Sequence, residues 1–153
     1  MSPMRTSASL VIIFHILVFG STARAQQPTD ETAIQAQLHI PEPYELTQGT
    51  FINLILERVD PTQVSAIVYE NVYDAFENIA IPRGSRFFGH QVNKVNGVHD
   101  VYFSQLQLNS TGQTYTLQPP LQATTPLGAA GIVDFKPAAT AGTMLRKDIV
   151  IPH

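Results

Sequence analysis

Residues 72–89, VYDAFENIAIPRGSRFFG, decide the fold. Val72 and Tyr73 close an apolar, β-branched run, and residues 74–78 form a polar bridge rich in turn formers. Residues 79–81 resume the strand pattern. Pro82 fixes φ at a corner, and Gly84 can take the positive φ that other residues avoid. Residues 85–89 start a new strand. The stretch therefore predicts a hairpin feeding a corner, with Arg83 and Arg86 at the bend. It holds no nucleophile, general base or metal-ligand set, so it reads as architecture.

Working outward, the pattern is β from Leu38 onward. Residues 51–59 (FINLILERV) have a spacing that also suits a helix, but Gly49-Thr50 starts the run and Asp60-Pro61 stops it, which predicts a strand. Residues 64–73 mix β-branched and aromatic residues on both faces, as one strand covered on two sides would. Asn96-Gly97 between VNKV and VHDVYFSQLQL is a strong hairpin signal. Counting out from a two-residue turn pairs Val95 with Val98 and Lys94 with His99, and brings His90 near Phe103. A second turn at residues 109–112 leads into a strand over 113–117. Residues 119–137 read as a loop carrying one short apolar patch, residues 127–133, too short to cross a bilayer. Residues 144–151 (MLRKDIVI) read as the closing strand. Gly49-Thr50, Gly84-Ser85 and Gly142-Thr143 form a weak echo, each placed at a corner before an apolar run. The fold expected is all-β, a small barrel or sandwich with one or two short helices at most.

The N-terminus has a different character. Arg5 precedes an apolar core at residues 10–20 (LVIIFHILVFG), and Ala23-Arg24-Ala25 supplies a small-x-small pattern before Gln26. That core is short for a membrane anchor, so residues 1–25 are expected to be a cleaved export signal. Residues 26–37 (QQPTDETAIQAQ) carry too few apolar groups to bury themselves and read as a flexible leader. The barrel domain is expected over residues 38–153.

Composition narrows the function. Nine basic residues less Arg5 and Arg24, set against twelve acidic ones, give residues 26–153 a net charge of −5. An acidic domain is a poor nucleic-acid surface, because phosphate binding needs clustered Lys and Arg. The chain has no cysteine. Disulfides, thiol catalysis and zinc–thiolate sites are therefore excluded, and stability must come from the core or from assembly.

Candidate chemistries are sparse. His39, His90, His99 and His153 fall in no ligand motif, and His90 and His99 read as exposed strand residues. Glu70 with Asp74 or Glu77 could be brought together by the hairpin, as a hydrolase pair needs, but these carboxylates read instead as a solvated acidic face. No nucleophile elbow, phosphate-cradling loop or zincin motif occurs. Neither an enzyme, a cofactor nor a metal is expected. Tyr73, Asp74, Arg83 and Arg86 are the candidate interaction residues, since Arg forks at a bend suit a neighbour's carboxylates.

Taken together, Gly49-Thr50-Phe51-Ile52, VSAIV at 64–68, Val72-Tyr73-Asp74, IPRGSR at 81–86 and Gly89 resemble the C-terminal domain of the TrbI family. That family supplies the scaffold subunit of bacterial type IV secretion and conjugation machines, and the resemblance runs from about residue 46 to 117. It implies a small β-barrel that packs laterally with its own copies and with other secretion-core subunits, in the periplasm or at the outer membrane. Family members also carry an inner-membrane helix, a proline-rich arm and a helical hairpin that crosses the outer membrane. Residues 118–136 stand where that hairpin would be, without a helix of the needed length, so the resemblance implies a short variant. A monomeric periplasmic barrel holding a small ligand in its mouth is the alternative.

Overall fold

The computed structural model describes residues 39–153, so the expected export signal and leader lie outside the described residues. Ten strands follow in order: β1 Glu45–Leu46, β2 Phe51–Asp60, β3 Gln63–Val68, β4 Val72–Tyr73, β5 Ile79–Ile81, β6 Arg86–Val95, β7 Val98–Gln107, β8 Thr114–Thr124, β9 Thr140–Met144 and β10 Ile149–Val150. The described residues contain no helix. Six strands close into an antiparallel barrel in the order β2-β3-β6-β7-β8-β9, with β9 pairing back onto β2. Closure leaves the six-strand sheet without an edge strand, the usual hazard of an all-β domain, although the first half of β8 has no ladder partner on its β9 side. Two short ribbons stand outside the barrel, β1–β10 and β4–β5.

The inward face follows from period-two patterning. Ile52, Leu54 and Leu56 of β2 point inward, with Val64, Ala66 and Val68 of β3, Phe87 of β6, and Val101 and Phe103 of β7. Phe87 and Phe103 are both fully buried, and their rings meet at a tilted 5.7 Å, a favourable aromatic geometry. On β7 the inward parity changes from Phe103 to Leu106, where a register shift breaks the pairing with β8. The pleat would otherwise turn Leu106 to solvent.

The barrel agrees with the expected all-β fold, and the Asn96-Gly97 hairpin forms with φ of +51° and +78°, as a type I′ turn requires. Several finer expectations are corrected. Residues 64–73 do not form one strand: Tyr69 N–H turns to the Asn53 carbonyl and Asn71 accepts from Arg83 N–H, which ends β3 before β4 begins. The strand predicted over 113–117 continues to Thr124 through both prolines. Between Thr116 and Leu121 β8 has four residues where β7 has one, and in that wide bulge the prolines need donate no ladder bond. The closing strand is β9, not residues 144–151, and β10 pairs instead with β1. Gly142 therefore lies in mid-strand, where the Phe51 ring occupies the space a Cβ would need. Val92 lies in an irregularity between Gln91 and Asn93, so His90 faces Tyr102 rather than Phe103.

Candidate functional site

The turn predicted at residues 74–78 is organised by the Asp74 carboxylate. Oδ1 accepts from Phe76 N–H and Asn78 N–H, each at 2.8 Å. Oδ2 accepts from the Asn78 amide at 2.8 Å and from Tyr44 N–H at 2.6 Å. Asp74 is buried, and this desolvation pushes its pKa upward. The Asn78 amide and the N–H groups of Tyr44, Asn78 and Phe76 outweigh it and hold the pKa below the ordinary aspartate value. Asp74 therefore acts inside the chain. It shapes the turn and fastens it to the segment before β1.

The same fastening recurs on the other side of the β4–β5 hairpin. His153 Nε2 lies 3.2 Å from the Ala80 carbonyl, and its ring packs against Tyr44 at 3.8 Å, tilted by 30°. Opposite ends of the described chain thus meet beside the hairpin. What the hairpin leaves exposed is mainly apolar, Glu77 at its turn apart: Tyr73 is 54%, Phe76 53% and Ile79 40% accessible, with Tyr69 at 54% near its base. Arg83 lies over the Tyr69 ring at 5.9 Å, and among the described residues it makes no ion pair. Clustered exposed aromatics beside an unpaired guanidinium have the composition of an interaction surface.

Arg86 stands apart from that surface in its bonding. Its guanidinium grips Glu57 across β3, with Nε–Oε2 at 3.1 Å and a second nitrogen to Oε1 at 3.2 Å. Glu57 is the bulged residue of β2, which turns it toward Arg86. The Arg86 hydrogen bonds hold the Glu57 pKa below its usual range against partial burial, and Ser65 adds to the lowering. The pair raises Arg86 in turn. Of the four residues singled out by sequence, Tyr73 and Arg83 face solvent, while Asp74 and Arg86 already hold partners within the chain.

The proposed carboxylate pair is not assembled by hydrogen bonding. Glu70 accepts from the Asn53 amide at 2.5 Å, whereas Asp74 is engaged in its turn. His90 is exposed as expected, but His99 is half-buried, which corrects the sequence reading. The chain after β8 folds back so that Ile132 bridges to His99 and Phe135 stacks on the imidazole at 4.2 Å. Burial lowers the His99 pKa, with help from Lys94. Pattern reading missed this because the partner lies 33 to 36 residues away on an irregular segment.

His39, Glu45 and Asp148 form the one His/carboxylate cluster found among the described residues. Each carboxylate spends an oxygen on a backbone N–H, Glu45 on Glu42 and Asp148 on Gln48. His39 Nε2 lies 2.5 Å from Glu45 and 3.9 Å from Asp148. These bonds knit the entry of the described chain to the loop before β10.

No protein-family model matches the chain, and no curated protein is detectably similar to it.

Proposed function

We propose that this chain is a non-enzymatic structural subunit that assembles laterally with its own copies, as part of a type IV secretion or conjugation apparatus in the periplasm or at the outer membrane. The observation carrying the reading is the β4–β5 hairpin, a fastened ribbon outside the barrel that displays Tyr73, Phe76 and Ile79 to solvent. A hairpin this short is not stable alone, and Asp74, Tyr44 and His153 hold it in place. Rigid presentation of aromatic groups lowers the ordering entropy of association. The residues that resemble the TrbI domain, VYD and IPRGSR, form this hairpin and the corner leading into β6. Filled packing of the barrel interior by Phe87, Phe103 and the aliphatic residues around them favours a scaffold over a barrel that holds a ligand.

The test has two arms. Sedimentation of purified residues 26–153 should show oligomers whose population rises with concentration, and Tyr73→Ser with Phe76→Ser should shift them to monomer while thermal unfolding stays cooperative. Affinity capture from the bacterial envelope should retrieve secretion-core proteins. A monomer at every concentration, with no such capture, would end this reading.

A further inference from the structure

Between the first half of β8 and the β10 ribbon runs a groove of about 430 Å³, lined by Tyr115, Leu117, Lys147, Ile149 and Ile151 among others. Its two walls are strand edges. Residues 114–116 of β8 pair with β7 along one edge, and β9 reaches β8 no earlier than Ala123, so their other edge carries no ladder. On the opposite wall, β10 pairs with β1 on its far side, and Ile151 N–H bonds back to the Tyr44 carbonyl. Among the described residues no backbone hydrogen bond crosses the groove, and the link spanning it is Tyr115 hydroxyl to the Pro152 carbonyl at 3.4 Å. Walls that offer unpaired N–H and C=O groups over an apolar floor call for an extended backbone with apolar side chains.

This chain displays such an element. The β4–β5 hairpin is a two-stranded ribbon that exposes Tyr73, Phe76 and Ile79, with the Ala80 carbonyl of β5 taken by His153. It is held by residues that flank the β1–β10 ribbon, Tyr44 and His153, whereas β10 itself lines the groove. No residue of the hairpin lines the groove of its own molecule. A pairing of the two between molecules is by geometry heterologous, each copy giving a hairpin and receiving one. Glu77 on the exposed hairpin turn is opposite in charge to Lys147 on the exposed rim of the groove, and the Asp148 carboxylate beside Lys147 already accepts from Gln48 N–H.

We propose that the β4–β5 hairpin of one copy seats in the β8–β10 groove of the next, so that assembly proceeds head to tail. This rests on the reading that the chain associates with its own copies, and it names the two surfaces that do so.

Because the chain has no cysteine, introduced thiols report the contact without background. Glu77→Cys and Lys147→Cys are each prepared alone in residues 26–153, mixed, and oxidised mildly, beside a chain carrying both. The expected result is a heterodimer band from the mixture, little from either variant alone, and a ladder of trimers and higher species from the double variant. Oligomers by sedimentation without a 77–147 crosslink would overturn the hairpin-in-groove contact and leave lateral assembly standing. A dimer from Glu77→Cys alone would overturn it too, because that marks a two-fold contact. If the unaltered chain sediments as a monomer throughout, the assembly reading falls and this contact with it. Thermal unfolding of each variant, both substituted positions being exposed, verifies that the fold is retained.

Discussion

Replacing Gly89 by alanine tests the barrel register at its tightest point. A Cβ built on Gly89 would lie 2.0 Å from the Tyr102 carbonyl oxygen, 2.7 Å from its carbon and 2.8 Å from Phe103 Cα. All three are backbone atoms of β7, so no rotamer change relieves the clash. The β6 and β7 backbones must part by about 1 Å, since non-bonded carbons prefer separations of about 3.5 Å or more. That opening disturbs the pairs Gly89–Phe103 and His90–Tyr102 beside the register shift. Overpacking of this kind costs about 1–3 kcal/mol, and two weakened ladder bonds add about 1 kcal/mol each. Reduced freedom of the unfolded chain offsets about 0.5–1 kcal/mol. The net expectation is a loss of about 3 kcal/mol, which lowers the urea midpoint by about 2 M if m is roughly 1.5 kcal/mol per M. Gly97→Ala is the matched control. Gly97 has φ of +78° with nothing near its missing Cβ, so strain alone operates and costs about 1–2 kcal/mol. If Gly89→Ala unfolds within about 0.5 M urea of the parent, a quarter of the expected shift, the β6–β7 register is wrong.

Two further outcomes concern the charged groups. A double-mutant cycle on Glu57→Gln and Arg86→Gln should yield a coupling below about 1 kcal/mol, because both side chains are more than a third exposed, and it should shrink with added salt. The folded-state pKa of Glu57 is lowered, so its contribution is complete above the ordinary glutamate range and disappears as pH falls through the folded value. A coupling that persists unchanged at acid pH would contradict the pairing. Asp74 has the same sign: its pKa is depressed, so the difference in melting temperature between parent and Asp74→Asn should be largest near neutrality and fade as pH drops below the usual aspartate range. Melting temperatures that differ equally at every pH would assign the hairpin's order to shape rather than to the carboxylate's charge.

How much was legible in the chain beforehand depends on the distance over which each instruction acts. The hairpin at residues 72–81, the corner at Pro82 and Gly84, and the Asn96-Gly97 turn rest on dihedral preferences of adjacent residues, so the sequence specified them directly. Strand existence followed from alternation, as in Ile52, Leu54 and Leu56. Candidate residues were only half readable. Tyr73 and Arg83 lie exposed at a turn, and a turn position alone suffices to predict that.

The pairing of Arg86 with Glu57 is different, because it needs a bulge in β2 and the neighbouring placement of a strand 29 residues away. Asp74 was identified as a bend charge, yet its Tyr44 partner is reached only once the chain before β1 folds against the hairpin. The prolines of β8 stopped the strand on local grounds, whereas the four-residue bulge that admits them exists only when β7 supplies the opposing edge. The chain itself determined which segments extend and where they turn, since backbone torsion and burial preference are local. Tertiary structure decided which edges stay unpaired, because an edge is free or covered only relative to every other strand. That difference is why the β8–β10 groove has no signature in the sequence.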